Sequence, residues 1–370
     1  MTSLRLQADD LTGALDTAAE FVGLCGPLDV AWAGALPIQF PSSLAVDTGT
    51  RERDKAQAVA IVEALVPRLR EGTIAYKKVD SLLRGPWAAE LGACLRSGYW
   101  KCCIVAPAFA YQGRRTRAGQ HYAMAPDGAW LPVGDNLLAQ LAAENIDARP
   151  GQFDAELAEG VHVFDAETDA DLDRVVEIGR RCLPPILWCG SGGLASALAR
   201  GSAAAAPSRL RMPVLGLFGS DHAATAAQLE ACESVVVTLA EGDEGSAGRI
   251  RQRLADQHVA LVRFGFTSEI SRDAAARRIA GEIAALTSQL DPPGTLIVAG
   301  GETLKALCLA VGAHGLKVTG RIMPGLPRSV IQGGRWAGVE VISKSGAFGP
   351  KGLWRTLLEE NHLINESTPS

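Results

Sequence analysis

Leu4-Arg5-Leu6-Gln7-Ala8-Asp9-Asp10-Leu11-Thr12-Gly13-Ala14 passes from a short apolar run, through two adjacent carboxylates, into a helical pattern. Leu4–Ala8 reads as a strand and Thr12–Val22 as the helix after it. A strand handed directly to a helix is the building unit of parallel α/β sheets. Open sheets of that kind bind ligands beyond the carboxyl ends of their strands. Asp9 and Asp10 therefore stand where chemistry is expected. Two readings fit them equally: they hold substrate hydroxyls or accept a proton, or they cap a helix whose dipole favours acids at its N-terminus.

The same alternation continues outward. Leu28–Trp32, Leu44–Val46, Ile74–Val79 and Cys102–Ala106 read as strands, Asp54–Arg70 and Pro86–Leu95 as helices, the latter with proline in its first turn. Arg200–Pro213 (RGSAAAAPSRLRMP) breaks the pattern with small residues and two prolines, and is expected to be an interdomain linker. Alternation then resumes, with Val214–Phe218 before Ala223–Glu230 and Leu296–Ala299 before Leu304–Val311. The expected fold class is α/β, with two domains of mainly parallel sheet, residues 1–205 and 206–370. A length of 370 residues agrees with two domains at about 100–200 residues each.

Bulk properties narrow the function. A net charge of -5 gives no general attraction for nucleic acid or an anionic membrane, so neither is expected as a partner. Any anionic substrate must be held by a few local cations. The eight cysteines form no C-x-x-C pair and read as reduced structural thiols, which fits a cytoplasmic protein. Asp9 and Asp10 interrupt the opening apolar run before a signal-peptide core could form, and no stretch reads as a membrane span. The six histidines show no metal spacing, so no protein metal site is expected.

Further constellations follow strands. Lys78, Asp80, Ser81 and Arg84 offer cations, a carboxylate and a hydroxyl within one turn-sized segment. That set suits a polyhydroxy carboxylate, the cations taking the carboxylate and Asp or Ser the hydroxyls. Pro107–Gly119 carries Arg114, Arg115 and Arg117 among glycines, and reads either as a flexible anion-binding loop or as a solvated basic one. In the second half, Gly219-Ser220, Gly300-Gly301-Glu302-Thr303 and Ser343–Gly349 are glycine-rich turns, and free backbone N–H groups at such helix starts suit phosphate. Gly190-Ser191-Gly192-Gly193-Leu194-Ala195 fits the dinucleotide pattern G-x-G-x-x-A. No Asp or Glu lies between Ala195 and Asp221 to take the ribose hydroxyls, so it reads as a packing turn.

Taken in order, these segments resemble the four-carbon acid sugar kinase family. Ala8–Ala14 matches its A-D-D-x-T-G-A motif, Lys78–Gly85 its K-x-D-S-T-L-R-G motif, and Pro107–Gly119 its P-A-F…G-R-x-T…G segment. Gly219-Ser220, Gly300–Thr303 and Lys344–Gly349 resemble its G-S, G-G-E-T and K-S-G-N-F-G segments. Leu82 stands where the family has threonine and Ala347 where it has asparagine. The resemblance implies an N-terminal acid-sugar-binding domain, a C-terminal nucleotide-binding domain and an active-site cleft between them. It implies transfer of phosphate from ATP, with Mg2+, to the terminal hydroxyl of threonate, erythronate or 3-oxotetronate. The substrate would meet Asp9, Arg51, Lys78, Asp80, Ser81 and Arg84, with Asp9 or Asp10 as the base. ATP would lie on Ser220, Gly300, Gly301, Glu302, Thr303 and Gly346. Two alternatives are an NAD-dependent oxidoreductase using the Gly190–Ala195 turn and a sugar-acid sensor with weakened turnover, for which Leu82 and Ala347 are the motive.

Overall fold

The computed structural model describes residues 2–37, 39, 41–154, 157–202, 204–240, 245–266 and 271–365. The chain divides into two units, Met1–Ala204 and Ala205–Ser370.

The first unit runs β1 (Leu4–Ala8), α1 (Leu11–Cys25), β2 (Leu28–Trp32), β3 (Leu44–Asp47), α2 (Lys55–Leu69), β4 (Ile74–Lys78), α3 (Trp87–Leu95) and β5 (Cys102–Ala106). It continues through β6 (Arg114–Arg117), β7 (Gln120–Met124), β8 (Trp130–Pro132), α4 (Leu137–Ala143), β9 (Ala148–Pro150), β10 (Gly160–Val163), α5 (Asp169–Gly179), β11 (Ile186–Gly190) and α6 (Gly192–Leu198). Its main sheet has the order β2-β3-β1-β4-β11-β5-β10-β9, every pair parallel. β1 and β5 are buried at every residue, as strands covered by helices on both faces must be. The Asp10 side chain starts α1 by accepting from Gly13 N at 2.8 Å, and Asp54 starts α2 in the same way from Gln57 N at 2.9 Å. Pro86 occupies the cap of α3 rather than its first turn.

Register decides where the loops meet. Ala8 lies opposite both Asp47 and Lys78, Lys78 opposite Gly190, and Gly190 opposite Ala106. The segments after β1, β3, β4, β5 and β11 therefore leave the same edge of one sheet. The basic stretch after β5 is not a flexible loop: a short turn over Ala110–Gln112 leads into β6, which pairs antiparallel with β7 and through it with β8.

The second unit runs β12 (Val214–Phe218), α7 (Ala223–Glu230), β13 (Val236–Leu239), α8 (Ser246–Gln257), β14 (Val259–Phe264), α9 (Arg272–Gln289), β15 (Thr295–Ala299), α10 (Gly301–Ala310), β16 (Gly315–Met323), β17 (Leu326–Gln332), β18 (Glu340–Lys344) and α11 (Leu353–Glu360). Its strand order is β13-β14-β12-β15-β18-β17-β16. The first four pairings are parallel, and β16, β17 and β18 form an antiparallel meander. Phe218, Ala299 and Lys344 stand abreast at the carboxyl edge.

Two expectations shift. α10 begins at Gly301, earlier than Leu304, because Gly300 alone absorbs the chain reversal at φ 105°. The stretch read as a linker contains the division between the units, and its later part is tied down. Arg328 donates to Pro207 O at 2.5 Å and Arg209 O at 2.8 Å, and Leu210 N donates to Asn361 Oδ1 at 2.8 Å. No helix among the described residues is long and apolar enough to cross a membrane.

Candidate functional site

The carboxyl edge of the first unit's sheet carries a knot of ionised groups. Arg51, just beyond β3, reaches Asp9 through Nε and Nη2 at 2.7 and 3.0 Å. The same guanidinium reaches Asp10 through Nη1 and Nη2 at 2.6 and 2.8 Å, and stands 3.5 Å from Asp80. One arginine thus clamps two neighbouring carboxylates, each with paired hydrogen bonds, the strongest geometry a guanidinium offers. Gly85 lets this happen: at φ +76°, its missing Cβ would lie 2.9 Å from Arg51 O. The second motif therefore packs directly on the backbone that carries the clamp.

The two acids differ in exposure. Burial raises the Asp10 carboxyl above its ordinary range, the Asp9 charge adds to the rise, and Arg51 and Lys78 oppose it. The Asp10 side chain is 19% exposed and that of Asp9 only 5%. Asp9 is an interior anchor for Arg51, whereas Asp10 both caps α1 and keeps contact with the open edge.

The loop after β4 is organised by Asp80. Its carboxylate accepts from Leu82 N at 3.1 Å and Arg84 N at 3.3 Å, and from Arg84 Nε and Nη2 at 2.8 and 2.9 Å. Burial would raise Asp80, but the bonds from Arg84 and the charge of Arg51 outweigh it and hold the group well below the usual carboxylate range. Leu82, in place of threonine, contributes its backbone N–H to this wrap, so the turn survives without the hydroxyl. Lys78 is buried, with its ammonium on Val79 O at 2.9 Å and on no side chain among the described residues. A Cβ on Gly13 would lie 3.0 Å from that ammonium and 2.6 Å from Asp10 Oδ1, so glycine is needed there for both groups to fit. The adjacent Lys77 points to the opposite face and pairs with Glu90 inside the core.

His121, which in the sequence shows only the lack of metal spacing, joins Thr116 to the Ser81 loop. His121 is fully buried, 3.0 Å from Thr116 Oγ1 through Nδ1 and 3.0 Å from Ser81 O through Nε2. Burial lowers its pKa, so it is the neutral ring, with Nε2–H donating to Ser81 O. This ties the β6–β7 hairpin to the Ser81 loop. Metal spacing carries no sign of this tie; its signal in the sequence is a histidine at an inward position of a short hairpin.

The G-x-G-x-x-A turn is a packing device. A Cβ on Gly193 would lie 2.3 Å from Ala108 O, and one on Gly190 2.5 Å from Ala106 O. Its glycines accommodate the neighbouring chain of β5 and the loop after it.

In the second unit, three glycine turns meet at one edge. A Cβ on Gly346 would lie 2.0 Å from Ser220 Oγ, and one on Gly219 2.4 Å from Thr303 Oγ1. Gly300 N donates to Lys344 O at 3.0 Å. The buried Lys344 ammonium holds Ser345 O and Gly346 O at 2.9 and 3.2 Å, and Thr225 Oγ1 donates to Gly346 O at 2.8 Å. The Gly300–Thr303 and Ser345–Gly346 turns and Ser220 thus line one narrow rim of small residues and backbone amides. Glu302 is exposed in the first turn of α10. Among the described residues, no three His, Cys, Asp or Glu side chains group to hold a metal.

Residues 4–140 match a family described as a sugar-binding N-terminal domain, and residues 202–353 one described as a nucleotide-binding C-terminal domain. The chain is 31% identical to a D-threonate kinase of Bordetella bronchiseptica over 92% of its length and 93% of that protein's. It is 32% identical to a D-threonate kinase of Cupriavidus necator, over 94% and 95%. A solved Haemophilus influenzae structure superposes with a TM-score of 0.70 at 18% identity, covering 96% of this chain and 99% of the other, which is a likeness of fold.

Proposed function

This chain belongs to the four-carbon acid sugar kinase family, and on that premise we propose that it transfers the γ-phosphoryl group of ATP to the terminal hydroxyl of a four-carbon sugar acid, D-threonate first, with erythronate and 3-oxotetronate as alternatives. The family makes the protein a sugar-acid kinase; the particular tetronate is our assignment. In this reading residues 1–205 take the acid and residues 206–370 the nucleotide, in the cytoplasm.

Phosphoryl transfer asks a protein mainly for positioning and charge stabilisation. Asp9, Arg51, Lys78, Asp80, Ser81 and Arg84 form the acid-binding edge. Asp10 is our choice of base, because its carboxyl is raised by burial and its side chain, bonded to Arg51 like that of Asp9, is the more exposed of the two. Ser220, Gly300, Gly301, Glu302, Thr303 and Gly346 form the phosphate rim, with Gly301, Glu302 and Thr303 in the first turn of α10, where helix N–H groups suit phosphate. Magnesium fits as a companion of the ATP phosphates, which is how it usually binds in kinases. Among the described residues no three-ligand cage gathers for it.

The observation that carries the reading is the knot of Asp9, Asp10 and Arg51 beside a buried lysine with no side-chain hydrogen bond among the described residues. Buried ion clusters are poor sources of stability, so their presence at a ligand-binding edge favours a role in chemistry. The test is coupled ADP release by the full chain with Mg-ATP over a panel of tetronates. ADP release with at least one of them is expected. Tetronate binding without ADP release would replace the kinase by a sensor.

A further inference from the structure

Three carboxylates at the acid-binding edge, Asp9, Asp10 and Asp80, face three cations, Arg51, Arg84 and Lys78. Arg51 is taken up by Asp9 and Asp10 through all its bonding nitrogens, and Arg84 holds Asp80 in a paired hydrogen bond. Lys78 lies within the field of both Asp10 and Asp80. The edge is therefore balanced before any substrate arrives. An acid substrate brings a fourth negative charge, and a matching cation must come from elsewhere.

The basic stretch after β5 contains that cation, and the structure singles it out. Arg115 and Arg117 share the carboxylate of Glu167, at 2.9 and 2.8 Å, and Arg115 also lies over the Trp130 ring at 4.0 Å. Arg114 has no carboxylate partner among the described residues. Its Nη1 is anchored on Gln112 O and Gly113 O at 2.7 and 3.0 Å, and its buried Nε has no partner among the described residues. It lies within the field of Asp80 and Arg84, and Gln112, on which it rests, also reaches Ser81 Oγ at 3.5 Å. A half-buried guanidinium held by backbone carbonyls, with an unused donor beside the substrate loop, is preorganised for a planar anion.

We propose that Arg114 binds the carboxylate of the sugar acid and gives the site its demand for an acid. This rests on the kinase reading above and assigns one end of its substrate to one residue.

The test uses the full chain with Mg-ATP and D-threonate, comparing wild type with R114A and R114K. In R114A the KM for threonate rises about 10-fold to 150-fold, the worth of a charge-assisted hydrogen bond. The KM for ATP and the thermal midpoint stay near wild type, and kcat falls by much less than KM rises. R114K recovers part of the loss, since it restores the charge without the fork. A wild-type enzyme that turns over threonate with an unchanged KM in R114A overturns this inference and leaves the kinase reading standing. A rise in both KM values together with a lowered thermal midpoint in R114A and R114K also overturns it, because Arg114 is then only a hairpin anchor. If wild type releases no ADP with any tetronate, the kinase reading fails, and calorimetric titration of threonate alone decides Arg114: weaker binding in R114A supports the assignment, equal or undetectable binding in both proteins overturns it.

Discussion

Replacing Asp10 by asparagine separates the two roles that one carboxylate holds. Asp10 caps α1 through Gly13 N, and asparagine caps a helix about as well as aspartate, so that contribution is retained. Charge is what disappears. Arg51 keeps both bonds to Asp9 but loses its charged partner at 2.6 and 2.8 Å. Charge-assisted hydrogen bonds are worth about 1.5–3 kcal/mol, and relief of the buried Asp10 charge and of its repulsion by Asp9 offsets them, so D10N should lose no more than about 1 kcal/mol in urea denaturation. If Asp10 is the base, kcat falls about 10²- to 10⁴-fold, far beyond what such a loss of stability could cause in a folded enzyme. D10A should share that kcat and lose about 1 kcal/mol more, because the cap goes too. The pH profile carries the sign. A base must be deprotonated, so wild-type kcat rises with pH through the Asp10 ionisation, which burial places above the ordinary carboxylate range, and this acidic limb should vanish in D10N. Stability responds oppositely: a raised carboxyl stabilises the fold most below its unfolded pKa of about 3.9, and the benefit is lost as pH rises through the folded value. Kinetics by coupled ADP release and folding by urea titration are measured on the same preparations. A D10N enzyme with kcat within about threefold of wild type and an intact acidic limb would refute the assignment and move the base to Asp9 or Asp80.

Arg84→Ala should raise the KM for the sugar acid about 10-fold or more and leave that for ATP alone, since it both removes a cation and unwraps the loop around Asp80. The same change should shift acid denaturation upward in pH. Asp80, held low by Arg84, contributes stability above its unfolded pKa that is lost as pH falls through the folded value, and without Arg84 that loss begins at higher pH. Gly13→Ala, normally favourable inside a helix by about 0.5–1 kcal/mol, should here lower the thermal midpoint and kcat together, because the new Cβ meets Asp10 and Lys78 at 2.6 and 3.0 Å. Gly346→Ala should raise the KM for ATP and spare that for the acid, its Cβ falling 2.0 Å from Ser220 Oγ; equal effects on both substrates would remove this turn from the nucleotide rim.

The α/β class, the order of strands and helices from β1 to β5 and the placing of the Asp9 and Lys78 motifs after strands could be read from the chain alone. Those features are local: apolar runs such as Leu4–Ala8 and Cys102–Ala106, acids or glycines at the handover and helical periodicity beyond it all lie within a few residues of one another. Tertiary structure alone decided which motifs meet. Register puts Ala8, Asp47, Lys78, Gly190 and Ala106 abreast, and that pairing joins residues up to about the whole length of the first unit apart. Only then does one arginine beyond β3 clamp both acids beyond β1, and only then does His121 reach Ser81 O. The three arginines after β5 look alike in sequence, since type and spacing say nothing of partners. Glu167, some fifty residues on, takes Arg115 and Arg117 and leaves Arg114 without a carboxylate. The Gly190–Ala195 turn makes the same point in reverse, for its glycines match a cofactor pattern letter by letter, yet the chain at Ala106–Phe109 fills the space they leave. Pattern depends on neighbours in sequence, whereas charge balance and free volume depend on neighbours in space.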